Sequence, residues 1–79
     1  MTVRVRCGRL ECERLWRLRK MHDQIDAVLR DHGHEGVEIE FFYNGERLYG
    51  RRWAGRQPGV SDAATRRAEL ERGGWSSHW

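Results

Sequence analysis

The chain has 79 residues, enough for one small domain with a single thin core. Charged residues make up 34% of it and hydrophobic residues 38%, a balance typical of a folded globular domain and not of a disordered segment. The net charge of +3 is too small to indicate nucleic-acid binding by itself. Lys20 is the single lysine, and arginine favours bidentate contacts with carboxylates and phosphates as well as stacking on aromatic rings.

The expected cellular address follows from two features of the sequence. No apolar run approaches the roughly 20 residues that cross a bilayer, and the start MTVRVRCGRL lacks the apolar centre of a signal peptide. We therefore expect a cytoplasmic protein that does not contact membranes. Reduced thiols are expected at Cys7 and Cys12 for the same reason.

The first two predicted elements are a strand and a long helix. Residues 2–7 alternate between apolar side chains and arginine, which is typical of a half-buried strand. Residues 10–32 change to helical spacing, and Gly33 supplies a stop signal. The apolar stripe of this helix would consist of Leu15, Leu18, Met21, Ile25, Val28 and Leu29. Trp16 projects away from the stripe, so we expect an exposed tryptophan of the kind enriched at interfaces; alternatively, it packs under the C-terminal tail.

The next two predicted elements form a β-hairpin. Val37–Tyr43 and Glu46–Trp53 are rich in aromatic and β-branched residues, which favour strands. Asn44 and Gly45 between them are a strong signal for a type I′ turn, because both central positions of that turn need a positive φ.

The last predicted element is a helix over residues 61–72, with Ser61 as its N-cap and a Schellman motif at Gly74. The predicted order of elements is thus β-α-β-β-α. It corresponds to an α+β fold in which two helices cover one face of a three-stranded sheet. We expect one domain over residues 1–74, followed by a C-terminal tail at residues 75–79.

The two-residue turn sets the register of the hairpin and therefore its two faces. With Tyr43 opposite Glu46, the face toward the core carries Val37, Ile39, Phe41 and Leu48. The other face carries Glu38, Glu40, Phe42, Arg47, Tyr49, Arg51 and Trp53. There we expect Glu38 to pair with Arg51 across the strands. Three large aromatic rings among arginines exceed what a solvated sheet needs, although a solvated face with internally paired charges is the alternative.

These observations predict a small non-enzymatic protein-interaction domain, either self-associating or an accessory subunit of a larger assembly. The residues expected to bind the partner are Trp16, Phe42, Arg47, Tyr49, Arg51 and Trp53. The alternative is a nucleic-acid-binding module that stacks bases and contacts phosphates. Its residues would be Arg4, Arg6, Arg47, Tyr49, Arg51 and Trp53. Glu38 and Glu40 argue against this alternative, because they would face the phosphates.

Residues that could support metal binding or catalysis are present but poorly spaced. The zinc-type ligands that flank the predicted helix are Cys7, Cys12, His32 and His34. Their spacing fits no compact zinc motif. His22 and Asp26 lie one helical turn apart, but His22 falls on the apolar stripe, and neither a nucleophile elbow nor a glycine-rich phosphate loop is present. We therefore expect no metal, cofactor, small-molecule substrate or catalysis.

Two resemblances arise from the second half of the chain. A group of short bacterial proteins of unassigned function is similar in carrying the segment YNGERLYGRRW, followed by an alanine- and arginine-rich helix that ends in GGW. This resemblance covers most of the chain and implies no activity. Residues 37–72 more loosely resemble the arm-binding domains at the N-terminus of phage-type integrases, which read DNA with a three-stranded sheet set against a C-terminal helix. The long helix predicted between the first two strands departs from the order of elements in those domains.

Overall fold

The computed structural model describes residues 11–77, so the strand predicted at residues 2–7 lies outside the described part of the chain. The strands are β1 (Glu11–Lys20), β2 (Asp23–Asp31), β3 (Val37–Tyr43) and β4 (Glu46–Trp53). They form one antiparallel sheet in the order β1-β2-β3-β4. The helix α1 (Arg56–Arg72) packs on one face of that sheet, and a short 3-10 turn (Gly33–Glu35) links β2 to β3.

The predicted fold of three strands and two helices is wrong, because residues 11–31 form a β-hairpin and not a helix. The stretch has a second periodicity of two residues, which is the period of a strand. Core-facing residues at that spacing are Trp16 and Leu18 on β1, followed by Ile25, Ala27 and Leu29 on β2. Both periodicities fit the sequence, and pairing of β2 with β3 favours the strand.

The turn of the β1–β2 hairpin explains why the sequence did not predict it. Its two central residues are Met21 and His22, neither of which is a typical turn former. Met21 adopts φ 55°, a left-handed conformation that is uncommon for a residue with a long side chain. Its side chain is 87% exposed, so it contributes little to the core that the helical pattern assigned to it.

The β3–β4 hairpin confirms the predicted strand bounds and turn. Asn44 and Gly45 have φ values of 50° and 88°, as a type I′ turn requires. The predicted pairing of Tyr43 with Glu46 is also correct. After the next pair, Phe42 with Arg47, a β-bulge inserts an extra residue into β4. Phe41 therefore pairs with Tyr49 instead of the predicted Leu48. Beyond that point the predicted register is off by one.

The core lies between the sheet and α1. Its buried residues are Trp16, Leu18, Ile25, Ala27, Leu29, Val37, Ile39, Phe41 and Ala63. The helix contributes the small residues Gly59 and Ala63, which allow its backbone to lie close to the sheet. Two neighbouring alanines of the helix, Ala64 and Ala68, are exposed.

The C-terminus of α1 matches its prediction, whereas the N-terminus does not. The helix begins at Arg56, five residues before the predicted N-cap at Ser61, because the proline in its first turn does not interrupt helical hydrogen bonding there. Its C-terminus forms the predicted Schellman motif. The Trp75 amide donates to the Leu70 carbonyl at 3.1 Å, and Gly74 adopts the left-handed φ of 100°.

Contacts with the outer edge of β1 hold the residues after the helix. Ser76 exchanges two backbone hydrogen bonds with Arg19, at 2.8 and 3.0 Å, and forms an isolated β-bridge with it. The Lys20 ammonium donates to the Gly73 carbonyl at 2.7 Å, where the helix leaves carbonyl groups without intrahelical partners. This edge of the sheet is therefore partly covered by the chain itself.

Two findings bear on the expectations drawn from composition. None of the helices within residues 11–77 is long and apolar enough to cross a membrane. Cys12 is disulfide-bonded, so the expectation of a reduced thiol is wrong for this residue.

Candidate interaction surface

The bulge in β4 divides the predicted aromatic–arginine face between the two sides of the sheet. Phe42 and Arg47 remain on the side away from α1. Tyr49, Arg51 and Trp53 pair with core residues of β3 and therefore lie on the helix side. An extra residue in one strand moves every later side chain to the opposite face, which is why the predicted residues do not form one surface.

Trp16 is buried, so its predicted position on an exposed helix face is wrong. The residue is 7% exposed, and its indole Nε1 donates to the Ala63 carbonyl at 3.0 Å. Its ring lies 5.9 Å from that of Phe41. Trp16 therefore joins β1, β3 and α1 in the core and does not belong to a binding surface.

Paired charges occupy the sheet face away from α1. Arg47 donates to Glu40 at 2.9 Å and to Glu38 at 3.3 Å, and Arg30 also donates to Glu40. On the neighbouring strands, Arg17 Nε donates to the buried Asp26 at 2.7 Å. The predicted pair between Glu38 and Arg51 does not form, because the register shift places Arg52 across from Glu38. The alternative that the charges on this face are paired within the chain is confirmed for Arg47 and its two glutamates.

These contacts shift the pKa values of Glu40 and Arg47. Burial raises the pKa of the Glu40 carboxyl, but hydrogen bonds from Arg30 and Arg47 outweigh it and hold the pKa below its ordinary value of 4.5. The hydrogen bond to Glu40 likewise raises the pKa of Arg47. Both groups are therefore charged at neutral pH and are already engaged with each other, which disfavours Arg47 as a free phosphate ligand.

Arg51 and Trp53 lie together on the helix side of the sheet edge. The guanidinium carbon of Arg51 is 4.3 Å from the centroid of the Trp53 ring, a cation–π contact. Trp53 is half-buried and packs against the core, with its Nε1 buried and lacking a hydrogen-bond partner among the described groups. Arg51 is exposed and forms no ion pair with a described carboxylate. These two side chains therefore stack on each other, on the face opposite to the one predicted for them.

The outer edge of β4 is the most exposed part of the sheet. Six of its eight residues are exposed, whereas β2 and β3 are mostly buried. Leu48 is 54% exposed and Tyr49 46%, and both are among the exposed large hydrophobic residues of the described chain. The Tyr49 ring lies 4.9 Å from the ring of Phe41, so the core supports its position. Within residues 11–77, no strand pairs with the outer side of β4.

An open groove of about 280 Å³ adjoins this edge, between β4 and α1. Its lining residues are Ile25, Phe41, Leu48, Tyr49, Leu70, Arg66 and Glu69. Five of these seven are apolar or aromatic, with the Arg66–Glu69 ion pair at the rim. The groove can therefore accept an apolar side chain next to an edge that can accept a backbone. We call the exposed β4 residues and this groove the β4 surface.

Several of the remaining predicted site residues have partners within the chain or lie outside residues 11–77. Arg4 and Arg6 are outside residues 11–77. His32 lies 3.3 Å from Glu38, and the described residues hold no group of three or more potential metal ligands. The Asp26 carboxylate accepts from the side chains of Arg17 and Gln24.

Leu48 on β4 is exposed, although the hairpin register predicted from the sequence placed it in the core. A hairpin register without the bulge would place Leu48 in the core and Tyr49 and Trp53 on the solvent-exposed face. Shifting the register by one residue brings both rings to the core side at the cost of exposing one leucine. Since aromatic rings bury more area than leucine, the sum of apolar burial was a signal for the bulge.

Comparison with known proteins identifies no relative of this chain. No protein-family model, curated protein or solved structure matches it.

Proposed function

We propose that this chain is a small non-enzymatic protein-interaction domain that binds its partner through the β4 surface. The observation that carries the proposal is the coincidence of an open sheet edge with two exposed hydrophobic side chains, Leu48 and Tyr49. The partner is either a second copy of the chain or a larger assembly in which this domain is an accessory subunit.

The open edge supports binding through the backbone. An edge strand presents a row of unpaired N–H and C=O groups, and extended segments of other proteins bind such edges by adding a strand. At the opposite edge of the sheet, Ser76 already bonds to Arg19 of β1. Within residues 11–77, the chain thus covers part of the β1 edge and pairs no strand with the outer edge of β4.

The side chains support an apolar component of binding. Leu48 and Tyr49 lie at the mouth of a mostly apolar groove, and Tyr49 rests on the buried Phe41. A tyrosine held in place by the core loses little conformational entropy when a partner covers it, which is one reason why such residues act as interface anchors. An edge strand that only faces water would gain nothing from exposing Leu48 and Tyr49.

Nucleic-acid binding is the second candidate, and one observation favours it. Tyr49 and Arg51 are exposed two residues apart on the same side of β4, where a base could stack and a phosphate could pair. The carboxylates beside the other arginines weigh against it: Glu40 and Glu38 bind Arg47, and Glu35 lies 3.7 Å from Arg52. We therefore place it after protein binding.

The test uses the full chain, a variant of the surface and a matched control. Leu48→Asp places a charge at the mouth of the groove. Met21→Asp places the same charge at another exposed hydrophobic residue, in a left-handed position that aspartate tolerates. Light scattering over a range of concentrations measures self-association, and pulldowns from native lysate with quantitative mass spectrometry measure other partners.

We expect association of the unmodified chain and of Met21→Asp, and its loss in Leu48→Asp, with all three proteins folded by circular dichroism. A chain that stays monomeric and recovers no partner would contradict the proposal. Equal association of the two variants would also contradict it, because binding would then not use the β4 surface.

A further inference from the structure

Resting on the proposed function, we propose that the segment bound by the β4 surface is extended and acidic, with an apolar side chain at its centre. The occupant is thus a strand from a different protein rather than a second copy of this chain.

The charges of β4 are unbalanced. The strand ERLYGRRW carries the three arginines Arg47, Arg51 and Arg52 against the single acid Glu46. All four residues are exposed. A strand that adds to this edge brings its side chains within about 5 Å of those of β4, a distance at which opposite charges stabilise and like charges destabilise pairing.

Two of these arginines remain available to a partner. Arg51 stacks on Trp53, so its orientation is already restricted, and it has no ion-pair partner among the described carboxylates. Arg52 contacts Glu35 at 3.7 Å, but both side chains are more than half exposed, and such a contact contributes little. Arg47 is held by Glu40 and Glu38, yet its side chain is still 49% exposed.

Side chains of an added strand point alternately to the two faces of the sheet, so each position of the partner can be expected to be either apolar or acidic. Residues opposite Tyr49 face the groove and should be apolar, and those opposite Arg51 on the same side should be acidic. On the other side of the sheet, residues opposite Arg47 and Arg52 should be acidic. The matching segment is therefore an apolar residue flanked by carboxylates.

A second copy of β4 fits this surface poorly. Pairing the strand with itself would bring three arginines from each chain together with only one glutamate from each. Because like charges close together across a ladder repel, this excess of arginine destabilises pairing between two copies. An acidic strand meets no such repulsion.

The experiment uses fluorescence anisotropy with the full chain and three labelled probes at low salt. The probes are a nine-residue peptide with valine at its centre and glutamate at all remaining positions, the same peptide with lysine in place of glutamate, and a single-stranded dT12 oligonucleotide. The variants are Leu48→Asp, Arg51→Glu and the control Arg14→Glu, which makes the same charge change at an exposed residue on the opposite edge of the sheet.

We expect the glutamate peptide to bind, and the lysine peptide and the oligonucleotide to bind at least about tenfold more weakly. Leu48→Asp and Arg51→Glu should each weaken binding of the glutamate peptide about tenfold, whereas Arg14→Glu should change it less than about twofold. Raising the salt concentration should weaken binding, because the contacts are partly ionic.

Three results would overturn the inference: equal binding of both peptides, equal effects of Arg51→Glu and Arg14→Glu, or tighter binding of the oligonucleotide, which would favour the nucleic-acid function. If no probe binds while the chain associates through Leu48, the acidic partner is wrong and the interaction domain stands. If association through Leu48 fails as well, both proposals are wrong.

Discussion

Replacing Trp16 tests whether the first half of the chain is a hairpin or a helix. In the hairpin the side chain is 7% exposed and bonded to Ala63, whereas on the predicted helix it would face water. Truncation of a buried tryptophan to alanine costs about 3–5 kcal/mol, and truncation of an exposed one usually costs less than about 0.5 kcal/mol. The two structures therefore predict effects that differ by about 3 kcal/mol or more.

The size of the domain requires a milder substitution beside the alanine variant. At about 0.05–0.15 kcal/mol per residue, a chain of 79 residues has a total stability of about 4–12 kcal/mol, so Trp16→Ala could unfold it completely. Trp16→Phe keeps a ring against Phe41 but loses the 3.0 Å hydrogen bond to Ala63 and part of the ring volume. The lost bond costs about 1 kcal/mol and the smaller ring about 1 kcal/mol more.

Urea and thermal unfolding followed by far-ultraviolet circular dichroism measure both variants without relying on tryptophan fluorescence. A loss of about 2 kcal/mol corresponds to a decrease in Tm of about 8–16 °C for a domain of this size. The control is Tyr49→Phe, which removes a polar atom from an aromatic side chain that is 46% exposed and should change stability by less than about 0.5 kcal/mol. If Trp16→Ala costs no more than this control, Trp16 is not in the core and the hairpin is wrong.

Three further substitutions test other parts of the structure. Met21→Gly should raise stability by about 0.5–1 kcal/mol in thermal melts, because φ is 55° at an exposed position; a loss of about 1 kcal/mol, as for glycine inside a helix, would contradict the turn. Trp53→Ala should lower stability by about 2 kcal/mol, since the ring is half-buried against the core and covered by Arg51. An unchanged Tm would mean that the ring lies on the solvent face, as the predicted register had it. Glu40→Gln should lower stability at pH 7, and the difference from the unmodified chain should shrink as the pH falls below about 4.5. The reason is that the folded-state pKa of Glu40 lies below the ordinary 4.5, so its stabilising charge is present above that value and lost in acid; a difference that stays constant from pH 7 to pH 3 in urea titrations would refute this.

Local signals were sufficient for the β3–β4 turn and for the C-terminus of α1. Asn44 and Gly45 predicted the turn and the two strands beside it, because a left-handed conformation at both positions is a property of those residue types. Gly74 predicted the helix C-terminus in the same way, with the hydrogen bond from Trp75 to Leu70 in the expected place. In each case the interactions that form the feature lie within a few residues of one another.

The first half of the chain required information from outside it. Residues 11–31 carry apolar side chains at both helical and strand spacing, and the Met21 turn has no typical turn residue. The hydrogen bonds of β2 with β3 and the burial of Trp16 under α1 depend on segments distant in sequence, so a periodicity measured within the stretch could not weigh them. Tertiary contacts therefore selected the strand.

The position of the candidate site was decided by a single inserted residue. The composition of β4 predicted that aromatic rings and arginines would lie close together at an exposed hairpin. The face occupied by each depended on the bulge, which exposes Leu48 and brings Tyr49 and Trp53 to the core side. A bulge lowers the free energy of the fold only when the added apolar burial stabilises it by more than the disrupted ladder hydrogen bonds destabilise it. The amount of burial depends on the helix that packs against the sheet. Sequence alone therefore determined which residues β4 offers, and only the tertiary structure decided which of them face the helix, the solvent or a partner.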